Sequence, residues 1–226
     1  MNGEFAADFA RMAMQLHEEP GVEQTVERVL EFARAAVGCG HAGVMFMHGG
    51  KTVETAAATD PLVEKADQLQ VECGEGPCLS AIFERDSFYV PDTAVDSLWP
   101  AWSRRVADLG LRSVLSIRLF TGDSTIGALN LFDAEPDRFD ADDEAVARIL
   151  ARHASIALAS ARQESNLWQA IDARKLIGQA QGILMERFDL DADRAFGVLR
   201  RYSQDHNIKL REVAQRLIDT RKLPDD

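Results

Sequence analysis

With 226 residues, of which 46% are hydrophobic, the chain has length for one or two domains and enough apolar side chains for an ordinary core, which excludes wholesale disorder. Its formal net charge of −12 argues against broad, unspecific attraction to phosphates. No apolar run reaches the roughly 18 residues of a membrane span, the N-terminus lacks a secretory pattern, and Cys39, Cys73 and Cys78 make no even disulfide framework. The expected compartment is a reducing cytoplasm, with no membrane partner.

Residues 4–17 predict an amphipathic helix with Phe5, Phe9, Met12 and Leu16 at helical spacing, broken at Glu19, Pro20 and Gly21. A second helix over 22–37 carries Val26, Val29, Leu30 and Ala33 on one stripe and stops at Gly38. The period then shifts to two: 41–47 and 52–58 predict a strand pair across His48, Gly49 and Gly50. A helix is expected over 60–70, a Gly/Pro loop over 73–78, a short helix over 79–83 and a short strand over 88–90. Residues 99–109 read as a helix with Pro100 in its first turn, and 113–120 and 125–132 as antiparallel strands around 121–124. From Asp140, a capping residue followed by Asp142, Asp143 and Glu144, a helix of about 35–45 residues is expected; such length against a norm of about 11–12 suggests a coiled coil.

These elements make an α+β unit whose antiparallel sheet is flanked by helices. Residues 74–78 (Gly-Glu-Gly-Pro-Cys), 126–132 (Ile-Gly-Ala-Leu-Asn-Leu-Phe), and Phe139 with Asp143 and Glu144 follow in the order and spacing of a GAF domain, which the stretch 4–163 resembles. The resemblance implies a small-molecule sensor with an unknown ligand. Cyclic-nucleotide-binding members carry a lysine after the asparagine, where this chain has Leu131 after Asn130, so Asn130 and Phe139 are read as turn-organising residues. Cys73 and Cys78 are candidate redox thiols, as in a thiol switch or a methionine-sulfoxide-reductase-like member, although Glu72 and Glu75 beside them oppose a lowered thiol pKa; Arg85 and Arg112 are the cations that would favour it. Five dispersed histidines match no metal-site spacing, and no catalytic triad, P-loop or dinucleotide motif is present, so no metal, cofactor or catalytic residue is expected. Trp99 and Trp102 are read as packing residues.

The acidity belongs to the front. Residues 1–166 hold 27 Asp and Glu against 14 Lys and Arg, and residues 167–226 hold 10 against 11. The last sixty residues read as three short helices. Their apolar stripes are Leu176, Ile177, Ala180, Ile183 and Leu184; then Ala195, Phe196, Leu199 and Tyr202; then Leu210, Val213, Ala214, Leu217 and Ile218. Gly178, Ala180 and Gly182 are expected where helices approach closely. The string from Arg174 to Arg187, with Leu199 to Ser203, Asn207 and Leu210 to Ala214, resembles the ANTAR domain over 164–226. That resemblance implies binding of RNA hairpins and control of transcription termination. Arg174, Lys175, Arg200, Arg201, Ser203, Asn207, Lys209 and Arg211 are the candidate RNA-binding residues, since Arg pairs with phosphate and stacks on splayed bases. Family members often carry lysine at the place of Gln181, a lost charge here.

The expectation is therefore an RNA-binding antitermination regulator, not an enzyme, governed by its front unit and paired as a homodimer through the 140–186 helix. A DNA-binding regulator, a sulfoxide-reductase-like protein and a plain dimeric interaction protein remain the alternatives.

Overall fold

A computed structural model of the chain describes residues 3–222. It divides into two compact units, residues 1–162 and 163–226. Side chains are described from residue 9 onward, so the expected stripe position Phe5 and the last four residues lie outside the described part.

The first unit opens with α1 (Gly3–Glu18) and α2 (Val22–Val37), whose stripe Val26, Val29, Leu30 and Ala33 is buried as its spacing requires. Gly38 closes α2 at φ 69°, where its N–H reaches the Arg34 carbonyl at 2.8 Å. Next come β1 (His41–His48), β2 (Thr52–Ala58), α3 (Pro61–Cys73), α4 (Pro77–Phe83), β3 (Ser87–Val90), α5 (Pro100–Asp108), β4 (Ser113–Thr121), β5 (Ser124–Asp133) and the start of α6 (Ala141–Phe188). The strands form one antiparallel sheet in the order β2-β1-β5-β4-β3.

Period-two alternation sends side chains to two cores. Leu115, Ile117 and Leu119 of β4 and Leu129 and Leu131 of β5 meet α2 and α6 on one face. Val114 and Phe132 meet Val63, Ala66, Trp99, Trp102 and Val106 on the other. Both tryptophans are packing residues as expected: Trp102 is fully buried with Nε1 donating to the Ala66 carbonyl at 3.1 Å, and Trp99 packs edge-on to Phe88. Arg138 joins the start of α6 to the end of α2, donating to Asp143 at 3.0 Å and to the Val37 and Gly38 carbonyls at 2.9 Å. Asp140 caps α6 through the N–H groups of Asp142 and Asp143.

Gly127 sits where β1 and β5 cross closely. A Cβ there would lie 1.9 Å from the Met45 carbonyl oxygen. Because the obstruction is backbone, Gly127→Ala is expected to lower stability by about 3 kcal/mol, read as a reduced urea midpoint at unchanged slope.

Several expectations need correction. The stretch 73–78 is not a loop: α3 runs on to Cys73, Gly74 turns the chain at φ 67°, and Pro77 starts α4, so both cysteines lie at helix ends. Proline suits the first turn of α4 and glycine the left-handed cap, which shortens the turn. Asn130 organises no turn but stands mid-strand in β5, fully buried. The first of the three C-terminal helices is not short either. α6 continues unbroken for 48 residues to Phe188, because nothing stronger than two interior glycines interrupts it, at about 1 kcal/mol each.

In the second unit the end of α6, α7 (Ala192–Asp205) and α8 (Leu210–Thr220) close a small core of Ala180, Leu184, Ala195, Leu199, Val213, Ala214 and Leu217. Phe196, expected on the α7 stripe, is half-buried outside this cluster, and Val198 packs there instead. Gly178 and Gly182 approach nothing: a Cβ at either would meet no atom within 4 Å.

Candidate nucleic-acid interface and sensor core

The α7–α8 junction concentrates the candidate RNA-binding residues. Asp191 caps α7, its carboxylate accepting from the Arg194 N–H at 2.8 Å. At the other end Asn207 takes φ 51°, the left-handed turn that asparagine tolerates best after glycine. The Ser203 hydroxyl donates to the Ile208 carbonyl at 2.7 Å, so its proton holds the turn and only its oxygen is left to accept. Around this turn Arg200, Arg201, Asn207, Lys209 and Arg211 are all exposed. Among the described residues no carboxylate pairs with Arg200, Lys209 or Arg211, while Arg201 lies 3.5 Å from Asp205 on the open surface. Arg174 and Lys175 are exposed on α6, and no hydrogen bond or ion pair joins them to the junction.

Two neighbouring polar residues have structural duties that the sequence did not announce. Gln181 donates from Nε2 to the Ala192 carbonyl at 3.0 Å and so ties α6 to the start of α7. A lysine there would present its charge instead; glutamine serves the turn. Arg187, exposed on α6, donates to the Arg221 carbonyl at 2.7 Å and closes the end of α8.

In the first unit a buried polar cluster lies between α3 and the sheet. Asp67 is fully buried, its carboxylate accepting from Asn130 Nδ2 at 3.0 Å and from Thr55 Oγ1 at 3.4 Å. Asn130 Oδ1 in turn accepts from the Ser116 hydroxyl at 2.9 Å. Burial pushes the Asp67 carboxyl up to about 7; the two hydrogen bonds oppose the shift and Glu64 adds to it. Beside it the Gln70 side chain accepts from the Cys78 N–H at 2.8 Å, and its Nε2 is buried without a partner. The sequence carried a signal for this cluster that went unread: Asp67 and Gln70 share the helical face of Val63 and Ala66.

The thiols stand apart. Cys78 is fully buried, 3.5 Å from the Met45 sulfur, and burial drives its thiol far above the ordinary range, which works against thiolate formation. Cys73 is half-buried and receives Arg105 Nη1 at 3.6 Å. Arg105 is therefore the nearby cation. Arg112 is committed to Asp92 at 2.7 Å, and Arg85 lies over Phe88. Glu75, rather than facing a thiol, caps α5 by accepting from the Ala101 N–H at 2.6 Å. Among the described residues no group of three His, Cys, Asp or Glu side chains converges as a metal site, and no helix is long and apolar enough to cross a membrane.

Comparison with known proteins agrees with these two units. The family model for the GAF domain matches residues 19–159, and that for the ANTAR domain matches residues 165–218. No curated protein matches the chain. Among solved structures, the GAF domain from a Coxiella burnetii phosphoenolpyruvate-protein phosphotransferase is 17% identical, with 70% of this chain and 94% of that one covered at a TM-score of 0.57. The GAF domain from the corresponding Acinetobacter protein is 11% identical, with 74% and 99% covered at 0.57. The photosensory core module of a Stigmatella aurantiaca phytochrome is 13% identical at a TM-score of 0.58, with 90% of this chain but only 46% of the module covered. At such identities the likeness is one of fold.

Proposed function

The chain belongs to the GAF domain family and carries an ANTAR domain behind that unit, the architecture of a sensor joined to a regulator, and from this premise we propose that it is a transcription antitermination regulator that binds hairpin RNA. The observation that carries the reading is the α7–α8 junction: Arg200, Lys209 and Arg211 stand exposed, without carboxylate partners among the described residues, in a chain whose net charge is −12. Guanidinium and ammonium groups left open at one turn suit phosphates and splayed loop bases.

A homodimer through α6 completes the proposal. Ile149, Ile156, Leu167 and Ile171 are exposed on this helix. Ile149, Ser160, Ile171 and Gly182 recur every eleven residues, as do Ile156, Leu167 and Gly178. Eleven residues in three turns keep paired helices nearly straight or slightly right-handed, unlike a seven-residue seam. The open flanks of Gly178 and Gly182 leave room for a second helix backbone. Two RNA-binding units on one dimer raise avidity for paired hairpins by about 10²–10⁴. A ligand of the sensor unit changes this only by its differential affinity for two states of the dimer.

Fluorescence anisotropy with a labelled tandem stem-loop at low ionic strength tests the proposal, with duplex DNA as competitor. Stem-loop binding that duplex DNA does not displace is expected. A chain bearing Leu167→Glu and Ile171→Glu should sediment as a monomer, hold a single hairpin with unchanged affinity, and lose the tandem advantage. Displacement by duplex DNA would favour a DNA-binding regulator, and no binding to any stem-loop would end the hairpin reading.

A further inference from the structure

The first unit carries a basic recess away from the buried polar cluster. It encloses about 280 Å³ and is lined by Arg118 and Phe120 of β4, by Arg148, Ile149, Arg152 and Ser155 of α6, and by Ile117 and Asp86. Two guanidinium groups share one ring: Arg118 lies 4.3 Å and Arg152 5.2 Å from the Phe120 centroid. Like charges brought to one aromatic ring repel unless an anion joins them. Asp86 answers only one of them, pairing with Arg118 Nη2 at 2.6 Å. Glu144 and Ser87 occupy Arg148, with Glu144 at 2.8 Å. Arg152 has no carboxylate partner among the described residues, and Arg118 Nε is buried with no hydrogen-bond partner at all. The recess thus keeps an excess positive charge inside a strongly acidic unit, beside an apolar floor of Ile117, Ile149 and Ala151.

We propose that this recess binds a small organic carboxylate, its charged end on Arg152 and Arg118 and its apolar body against Ile117, Ile149 and Phe120. A carboxylate suits the forked guanidinium donors, and the apolar floor favours an amphipathic anion over inorganic phosphate. The site links two elements: Arg118 stands on the sheet, and Arg148, Arg152 and Ser155 fall on one face of α6 at spacings of four and three residues. The Phe120 N–H already donates to Ser155 Oγ at 2.9 Å, so a bound anion reinforces an existing bridge between β4 and α6. Of the recess residues on α6, only Ile149 belongs to the stripe assigned to helix pairing. The site rests on the sensor reading of this unit and gives it a ligand class.

The test uses the full chain without RNA, so it can fail while hairpin binding stands. Benzoate, its neutral isostere benzamide and inorganic phosphate are titrated by calorimetry and by amide chemical shifts. Benzoate is expected to bind and to move the Phe120 and Ser155 amides, with benzamide and phosphate at least tenfold weaker. Arg152→Gln, a change at an exposed position, should weaken benzoate at least tenfold at an unchanged melting temperature, and Arg152→Lys should restore part of the affinity. Equal binding of benzamide, unchanged affinity in Arg152→Gln, shifts confined to other parts of the fold, or no binding of benzoate up to about 20 mM, a range that reaches below 3 kcal/mol of affinity, overturns the proposal.

Discussion

Replacing Arg200 and Arg201 together by alanine is expected to weaken binding of a hairpin RNA at least about thirtyfold at low salt and to flatten its salt dependence. Both side chains are exposed on the last turns of α7, and among the described residues the only ion-pair partner of either is Asp205, 3.5 Å from Arg201 at the surface. Their loss therefore costs the fold little, within about 0.5 kcal/mol, and the effect falls on the ligand. A charge-assisted hydrogen bond contributes about 1.5–3 kcal/mol, so two lost contacts give the stated factor even if one is weak. Each phosphate contact also contributes about 0.7 to the slope of log K against log salt on single-stranded RNA, so a drop of about 1.4 marks two contacts. Arg194→Ala is the control: it removes an equally exposed arginine at the far end of the same helix and should change affinity less than twofold. An unchanged slope and affinity in the double variant would place the RNA surface elsewhere.

The second large effect is on stability and is set by pH. Asp67 is fully buried and meets Asn130 of β5, Thr55 of β2, the Cys78 thiol of α4 and the Glu64 carboxylate of its own helix, with no cation among them. Its carboxyl titrates at about 7 in the fold against 3.8 when free. The folded chain therefore holds a proton that the unfolded chain has already released, and the stability associated with this group falls as pH rises from about 4 to about 7 and is constant above. Asp67→Asn keeps an acceptor for Asn130 and a donor for Thr55 while carrying no charge at any pH. The variant should match the natural chain near pH 4, gain on it by up to about 1.4 kcal/mol per pH unit, and level off above pH 7 with an advantage on the order of 2–4 kcal/mol. Urea denaturation at pH 4.5, 6, 7.5 and 9 reads the difference between the two chains. Taking the difference also cancels Asp92 and Glu72, which Arg112 and Arg105 hold below the ordinary carboxylate range and which lose stability on the acid side instead. A gap independent of pH would show that Asp67 does not titrate in this range.

Much of this architecture was legible because it rests on local chemistry. Gly38, Asp60, Asp140 and Asp191 mark helix ends through bonds to residues within four positions of themselves, and such signals need no knowledge of the fold. The alternation in β4 and β5 likewise assigned side chains to two faces, because a strand turns each residue over regardless of its neighbours. The eight candidate RNA-binding residues came from a family resemblance together with charge. The hydrogen-bond partners of the polar residues were not legible there: Ser203 is drawn to Ile208, and Gln181, noted only for a lost charge, is drawn to Ala192.

Composition, capping and period, written in the order of residues along the chain, by themselves determined an acidic α+β unit, a long helix and a nearly neutral three-helix end. Tertiary structure alone decided which polar groups lost water. Asp67 meets Asn130 across 63 positions, Arg118 meets Asp86 across 32, and Cys78 meets Met45 across 33. Whether a carboxyl titrates near 7, a thiol is sealed or a guanidinium is left open depends on the dielectric and the charges that distant segments bring to it, and neither is a property of neighbours in sequence.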